Sequence, residues 1–556
     1  MNRRTFVNGA AVVAGAAALS PLLTACGGSD TTGGKGGTSS KKGLKAALPT
    51  YVAGSAAKPD IPSANGVVGT VTAPGYLTYP ANPVRTVSGV PGKGGTYTGI
   101  TPLFGSVPDP GNSFYQAMNK ALGVTLKMKP VDGINYGSIV PTMTASKKLP
   151  DWIQLPTWYR SINVGGLVGT QLADLTPYLS GDKIKQYPNL AAIPTGGWTN
   201  GAWRDKIYGI PCFSSGFALP GATFYRRDIL DAKGITADQV KSADDLYNLG
   251  KELTDAKGGV WAFDDIWTYA SPLWGVPYKF TVTDGKLVHK YEMDQLLEAL
   301  DWHYKLSKSG LMHPDALAGN NGSGKTRFHA GHTLIAGDGL GAWNLGDSQT
   351  GTAAGKGYRR GAFNIFAADG TSKPSTFLGP TTTLTSYLNA KLSKAQILEL
   401  LEVANYLAAP FGSAEYTMVN YGVEGTHYTM VNGVPTANEA GKKYVSNSGY
   451  TALASPSSVI SNPGAGQVTK DICAWNAAAA QHVYKPVFLN MNITVPTRFA
   501  VADAGQAVED VIKDCYHGIK KVSDVQAAIS SWKSSGGTQM IQWYSDNVLA
   551  KFGTGQ

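Results

Sequence analysis

The sequence is poor in cysteine and in charged residues, and each shortage narrows the range of functions. Only four cysteines occur among 556 residues, none in a CxxC pair, so neither a zinc centre nor a dithiol redox site is indicated. Charged residues make up 15% of the chain and hydrophobic residues 43%, a composition that excludes general disorder. After the N-terminal region no apolar run is long enough to span a membrane. A chain of this length is expected to fold into two or more lobes.

The net charge of +10 does not indicate a nucleic-acid-binding protein. Arg3 and Arg4 carry +2, and residues 27–93 carry seven basic against two acidic side chains. Residues 94–556 therefore have a net charge of only +3, too little for the basic surface that phosphate backbones require. We expect no nucleic-acid partner.

The first 25 residues have the pattern of an export signal. The letters RRTF carry the twin-arginine pair of a Tat signal, with Sec export as the alternative, and an apolar run follows from about residue 9 to residue 23. The next letters, LTAC, match a bacterial lipobox, in which Cys26 is diacylated on sulfur and becomes the first mature residue. This order predicts a protein of the cell envelope, anchored by lipid to the outer face of the cytoplasmic membrane. Residues 26–94, rich in Gly, Ser, Thr, Lys and Pro, are predicted to form a flexible tether.

The three remaining cysteines leave two arrangements open. Cys473 and Cys515 could form one disulfide and leave Cys212 as a free thiol. Alternatively, all three could be reduced and buried, as free cysteines often are.

From Thr96 onward the sequence alternates between strand and helix patterns. TYTGITPL, VTLKMKPV and DWIQLP are typical of strands; between them lie a helix that Asn112 caps and Gly123 ends, and a broken helix, YGSIVPTMTASKK. This βαβαβ order predicts a parallel sheet with helices on both faces. Two later helices are predicted to begin at capping serines, Ser242 and Ser393.

Six segments, taken in order, resemble those of ABC-importer substrate-binding lipoproteins, the extracellular solute-binding family that includes maltose, alginate and xylo-oligosaccharide binders. The resemblance covers nearly the whole body. The segments are LPDWIQL (149–155), LADLTPYL (172–179), DKIYGIPCF (205–213), FYRRDILDAKGI (224–235), FHAGHTLI (328–335) and YGVEGTHYTMVNG (421–433).

The resemblance implies an α/β protein with the two-lobe, type II periplasmic-binding-protein fold, parallel-rich sheets and hinge crossings. Lobe 1 would comprise residues 95–208 and 360–405, and lobe 2 residues 209–359 and 406–556. Such a protein is a monomer that holds a carbohydrate in the cleft between its lobes, closes around it and delivers it to the transmembrane subunits of a permease. No cofactor and no metal are implied.

Sugars present an apolar C–H face and a rim of hydroxyls, so a sugar cleft needs aromatic platforms beside polar side chains. Several aromatic residues follow predicted strands, at the edge where open α/β sheets bind ligands. The family pattern places a platform at Trp158 in the first lobe and at Trp343 in the second. The expected contacts are Asn112, Phe114, Trp158, Tyr159, Arg160, Phe213, Ser214, Ser215, Trp267, Asp338, Trp343 and Glu424.

Three of these residues also have a structural interpretation. Trp158 could be packed over a helix, and Trp267, together with Trp274, could belong to the core. Glu424 could have a structural role near the lobe junction.

An enzyme is not indicated. Asp264 and Asp265 are adjacent, so on an extended chain they point in opposite directions, unlike the paired acid and nucleophile of a glycosidase. His329 and His332 have the spacing of metal ligands, but Gly331 lies between them and no third ligand is evident. A binder of a peptide or lipid-like solute and a secreted glycan-degrading enzyme are the alternatives to a carbohydrate binder.

The stretch GNNGSGKT, residues 319–326, matches the P-loop pattern, but the sequence on either side of it does not match that of a P-loop. A working P-loop follows a buried strand and opens a helix, whereas LMHPDALA precedes this one and the chain turns extended soon after it. We therefore expect a surface loop, not a nucleotide site, leading to the segment that carries Asp338 and Trp343.

Overall fold

Two β-sheets, each covered by helices, organise the part of the chain that the computed structural model describes, residues 39–159, 161–346, 357–462 and 464–555. Cys26 and Arg160 lie outside the described residues. The strands of the two sheets are β1 (Thr96–Ile100), β2 (Thr125–Met128), β3 (Trp152–Gln154), β4 (Gly209–Cys212), β5 (Ala222–Arg226), β6 (Trp261–Phe263), β7 (Thr333–Asp338), β8 (Arg360–Ala362) and β9 (Leu384–Leu388).

The first sheet has the strand order β2-β1-β3-β9-β4. β1 pairs in parallel with β2 and β3, as the βαβαβ pattern predicts, whereas β9 runs antiparallel to β3 and β4. Neighbouring residues of β3, Trp152 and Ile153, are fully buried in separate cores because successive side chains of a strand point to opposite faces. Both faces of this sheet are therefore covered.

The second sheet has the strand order β6-β7-β5-β8. β6 and β7 are parallel, and β5 runs antiparallel to β7 and β8. β8 was expected in the first lobe, but Ala362 pairs with Phe224 of β5, which places β8 in the second sheet.

The α-helices of seven or more residues pack against these sheets or form a C-terminal unit. No helix within the described ranges is long and apolar enough to cross a bilayer. The helices are α1 (Lys41–Ala47), α2 (Ser113–Leu122), α3 (Gly133–Ala145), α4 (Ala243–Leu253), α5 (Asp294–Lys308), α6 (Gly324–Ala330), α7 (Lys394–Leu407), α8 (Ala414–Tyr421), α9 (Gly466–Ala479), α10 (Gln506–Tyr516), α11 (Val522–Trp532) and α12 (Thr538–Tyr544).

The predicted helix caps are confirmed. The Asn112 side chain accepts a hydrogen bond from the Tyr115 N–H at 2.9 Å, and Gly123 ends α2 with a φ of +66°. The hydroxyls of Ser242 and Ser393 accept from the third N–H of α4 and α7.

The C-terminal helices α10 to α12 share a core with a hairpin made of strands Phe280–Thr283 and Lys286–His289. Val508, Ile512 and Cys515 of α10 are completely or almost completely buried there. The C-terminal end of α10 therefore has a rigid support.

Residues 414–454 pack on the first lobe, although they were expected in the second. Val419 of α8 and Tyr450 are buried in the same core as Leu400 of α7. The chain returns to the second lobe only at Ile460, which packs with Phe224. Among the described residues that follow Thr96, the lobes are thus joined by three crossings, residues 213–221, 363–383 and 455–459.

Residues 39–94, which we call the N-terminal strap, do not behave as the predicted flexible tether. The Val52 N–H donates to the Ala191 carbonyl of the first lobe at 2.9 Å, and the Val67 N–H donates to the Ala480 carbonyl of the second at 3.0 Å. Ala47 is buried in the core of the first lobe. The strap therefore binds both lobes along their surfaces.

Cys212, Cys473 and Cys515 are all reduced and buried, so the disulfide that one alternative proposed does not form. Cys473 lies in the core of the second sheet and Cys515 in the C-terminal core. Burial raises the pKa of both thiols to about 11 and that of Cys212 to about 12. These cysteines therefore remain protonated and unreactive at neutral pH.

Candidate ligand-binding cleft

One edge of each sheet faces the crossings between the lobes. In the first sheet, β1, β3 and β4 end at this edge and β9 begins there. The first crossing leaves β4 at Cys212 and enters β5 at Ala222, which pairs with Asp338 at the end of β7. Ligands of open α/β sheets bind at the carboxyl ends of parallel strands, so the two facing edges form the candidate cleft.

The first-lobe side of the cleft carries a cluster of three aromatic residues, which we call the first-lobe aromatic cluster. Trp158 is 45% exposed, and its ring centroid lies 5.7 Å from that of Tyr159. Tyr159 donates its hydroxyl to the Gly133 carbonyl at 2.6 Å. Phe104, 70% exposed, lies so close to Gly133 that a β-carbon there would come within 2.5 Å of its ring. Two of the three rings are thus open to a ligand.

A further exposed aromatic ring stands on the first crossing. Phe213 is 44% exposed and has a φ of +52°, a left-handed conformation that is costly for a residue with a side chain. Its N–H donates to the Ser455 hydroxyl at 2.8 Å, and its carbonyl accepts from the Ser458 hydroxyl at 2.9 Å. Contacts between two crossings therefore hold Phe213 in place.

The side chains of Ser214 and Ser215, the next predicted contacts, contact other protein groups and stabilise the first crossing. Ser214 is buried, and its hydroxyl lies against Gly197, where a β-carbon would come within 2.0 Å of it. The Ser215 hydroxyl donates to the Phe217 carbonyl at 2.6 Å. Both residues border a cavity of about 760 Å³ between the strap and the crossings.

The second-lobe side of the cleft contains a pocket of about 370 Å³ at the ends of β6 and β7, which we call the second-lobe pocket. Carboxylates, cations, hydroxyls and aromatic rings all border it. The lining residues are Phe224, Asp264, Asp265, Thr268, Tyr269, Gly324, Lys325, Phe328, Ala336, Gly337, Asp338, Ala342 and Arg360.

A buried cation supports the predicted contact Asp338. Arg360 Nη1 lies 3.3 Å from Asp338 Oδ2, and the guanidinium stands between the rings of Phe224, at 4.8 Å, and Phe328, at 5.0 Å. The Arg360 side chain is 2% exposed, whereas that of Asp338 is 38% exposed. Burial, with Asp338 and Asp265 nearby, raises the pKa of Tyr269, whose neutral hydroxyl can donate to a ligand. The pocket therefore presents acceptors and donors together.

Asp264 has a structural partner. Its carboxylate accepts two hydrogen bonds from Arg327, from Nε at 2.8 Å and from Nη2 at 2.9 Å, and both side chains are almost fully buried. Arg327 also donates to the Asn320 carbonyl at 3.0 Å. This ion pair fixes the loop before α6 to the end of β6.

Three predicted contacts are structural residues. Phe114 is fully buried between His427 and Tyr450, and Asn112 is the cap of α2. Trp343 is not the second-lobe platform: it is buried in the core, with its ring centroid 5.5 Å from that of Phe224.

Two other predicted contacts, Trp267 and Glu424, do not line the pocket. Trp267 stacks on Tyr516 with the ring centroids 5.2 Å apart. Its neighbour Trp274 packs beside Trp302, so the core interpretation applies to both tryptophans. Glu424 is exposed in the turn before strand Tyr428–Val431.

Several residues of the cleft are not among the expected contacts, including Phe104, Asp265, Tyr269, Lys325 and Arg360. Phe104 directly follows the first strand pattern, a position that could have identified it. Lys325 belongs to the P-loop-like stretch, which contains a short 3₁₀ turn and the start of α6. A short helix, Pro314–Leu317, precedes that stretch in place of the strand that a P-loop requires.

Similar proteins support the description of the fold. No family model matches the chain. Lipoprotein LipO of Bacillus subtilis is 22% identical over 351 residues, which are 59% of this chain and 66% of LipO, just under two thirds of that relative.

Solved structures match over almost their whole length. The N-glycan transport solute-binding protein NgtS of Streptococcus pneumoniae superposes with a TM-score of 0.59 at 15% identity, covering 83% of this chain and 99% of NgtS. The alginate-binding protein AlgQ2 gives a TM-score of 0.57 at 15% identity, over 81% of this chain and 97% of AlgQ2. The chain has the two-lobe fold of solute-binding proteins. The predicted fold class is thereby confirmed.

Proposed function

We propose that this protein is the substrate-binding lipoprotein of an ABC importer and captures a carbohydrate, in particular an oligosaccharide, between its lobes. The observation that carries the proposal is that the two sides of the cleft are complementary. The first-lobe side has exposed aromatic rings, and the second-lobe side has a pocket of carboxylates, cations and hydroxyls. Rings stack on the C–H faces of sugars, and mixed donors and acceptors match their hydroxyls. Structural neighbours that bind alginate or transport N-glycans support this ligand class.

The proposed protein works as a monomer, held to the membrane through lipidated Cys26, and releases its ligand to the transmembrane permease. A lipoprotein relative and the signal pattern support the anchor. The engagement of Asp264 by Arg327 supports a binder over a glycosidase, because both oxygens of one of the adjacent carboxylates already accept hydrogen bonds from the guanidinium.

A panel of sugars tests the proposal. Protein lacking residues 1–26 is mixed with maltotetraose, xylotetraose, an alginate tetrasaccharide, kestose and a mannose-rich N-glycan, and melting temperature and tryptophan fluorescence are recorded. At least one sugar should raise the melting temperature and change the fluorescence, because ligand that binds only the folded state stabilises it. Release of shorter products would indicate an enzyme, and binding of peptides alone would indicate a different solute.

Replacing Trp158 with alanine should weaken binding of the best panel sugar about tenfold, the effect of losing one buried stacking contact of roughly 1.4 kcal/mol. Calorimetry gives the affinity. The melting temperature without ligand should barely change because the ring is 45% exposed. Ile519→Ala, at an exposed apolar residue of the C-terminal unit, is the control. Equal affinities for both variants would remove Trp158 from the site.

A further inference from the structure

We infer that His517, which lies outside the second-lobe pocket, positions the Asp265 carboxylate for ligand binding. The inference rests on the proposed function and extends it to the C-terminal helices. It makes His517 a positioning residue, which acts on the ligand only through Asp265.

Asp265 lines the pocket on a backbone that is fixed from several directions. Its N–H donates to Asp264 Oδ1 at 3.0 Å, and its carbonyl accepts from the Gly337 N–H at 3.0 Å. Its Oδ1 accepts from the Trp267 N–H at 3.0 Å. The remaining oxygen, Oδ2, is the one that lies toward the C-terminal helices.

The His517 imidazole lies beside Oδ2. Nε2 lies 3.7 Å from Asp265 Oδ2, and the His517 side chain is 3% exposed. This nitrogen has no hydrogen-bond partner among the described residues. Leaving a buried polar group unsatisfied costs roughly 1–3 kcal/mol, so an approach of less than about 1 Å to the carboxylate is favoured.

The same end of α10 also contacts Trp267, two residues after Asp265. Tyr516 stacks on Trp267, with the ring centroids 5.2 Å apart and the planes 15° from parallel. Behind these two residues, Ile512 and Cys515 are buried in the C-terminal core. A rigid helix end therefore supports both the Asp265 carboxylate and the Trp267 N–H that donates to it. This support holds the carboxylate in one orientation toward a sugar hydroxyl.

Three variants separate positioning from simple stability, each tested with the panel sugar that wild type binds best. His517→Phe keeps the ring volume but loses the imidazole N–H, and should weaken binding about ten- to hundredfold, the usual worth of the hydrogen bond to a charged group that forms when the imidazole closes on the carboxylate. His517→Gln keeps an N–H donor and should recover most of the affinity. Asp265→Asn should weaken binding, and adding His517→Phe to it should cause little further loss.

His289→Phe is the matched control, since His289 is also a buried histidine supported by the C-terminal core but lies away from the pocket. It should lower the melting temperature without changing affinity. Wild-type affinity in His517→Phe, or additive losses in the double variant, would overturn the inference. Failure of wild type to bind any panel sugar would instead contradict the proposed function.

Discussion

Replacing Arg327 with methionine should destabilise the protein by about 3–5 kcal/mol, the typical cost of leaving one partner of a buried ion pair uncompensated. Arg327 gives Asp264 two hydrogen bonds at 2.8 and 2.9 Å, and neither side chain is more than 6% exposed. Without the guanidinium, the Asp264 carboxylate remains buried and charged, with a hydrogen bond from the Asp265 N–H at 3.0 Å and a 3.4 Å contact to the Thr333 hydroxyl but no cation beside it. Urea unfolding at neutral pH measures the loss.

The double variant Arg327→Met, Asp264→Leu is the control for this prediction. It removes both charges, so it should recover much of the stability, because a buried ion pair can often be replaced by apolar residues at little cost. Arg327→Lys should fall between, since an ammonium cannot make the paired contact. Additive losses in the double variant, or a loss below about 1 kcal/mol in Arg327→Met, would show that the pair does not hold the loop.

The elements of the first lobe are predictable from sequence because their signals are local. Asn112 and Gly123 mark the ends of α2, and Ser393 with Gln396 starts α7, through contacts between near neighbours in the chain. The same is true of the strand patterns at β1 to β3.

Which aromatic residues face the cleft is not predictable in this way. Phe114 and Trp343 lie close after strands just as Trp158 does, but they are buried by Tyr450 and Trp475, which come from distant parts of the chain. An aromatic residue that follows a strand therefore identifies the edge of the sheet without deciding between core and surface.

The N-terminal strap was missed for a related reason. Its residues bury too little apolar surface to form a core of their own, and a segment of that composition is expected to be a flexible tether. It becomes ordered because other segments supply the partners: Tyr76 and Tyr79 pack against Phe411, and the Thr86 N–H donates to the Glu415 carboxylate. Composition reports what a segment can bury alone, not what it can bury against others.

Acid should begin to destabilise this protein above the pH at which ordinary carboxylates titrate, because two histidines are buried in their neutral form. Burial among Trp267, Trp274 and Trp302 lowers the pKa of His303 to about 4. Burial, with nearby lysines adding to the effect, lowers the pKa of His289 to about 2. Each folded-state pKa lies below the unfolded value of about 6.5. Between the two values, the unfolded chain binds a proton at each histidine and the folded protein does not.

Their contribution to stability is therefore complete above about pH 6.5 and is lost as the pH falls toward the folded pKa values. The free energy of unfolding should fall by about 1.4 kcal/mol per pH unit for each histidine between about pH 6 and pH 4.5. The upper part of this window, above about pH 5.5, lies about one unit above the ordinary pKa values of Asp and Glu, so protonation of ordinary carboxylates contributes little there. Urea unfolding at intervals of half a pH unit measures the slope.

Single variants assign the slope to its sources. His303→Leu and His289→Phe should each reduce it by about 1.4 kcal/mol per pH unit, whatever they do to stability at pH 7.5, because an apolar side chain takes up no proton in either state. Ile519→Ala, at an exposed apolar residue, should leave the slope unchanged. A wild-type protein with flat stability from pH 6.5 to 4.5 would mean that both buried imidazoles accept protons in the folded state. That result would require water to reach the tryptophan cage around His303, whose Nε2 has no hydrogen-bond partner among the described residues.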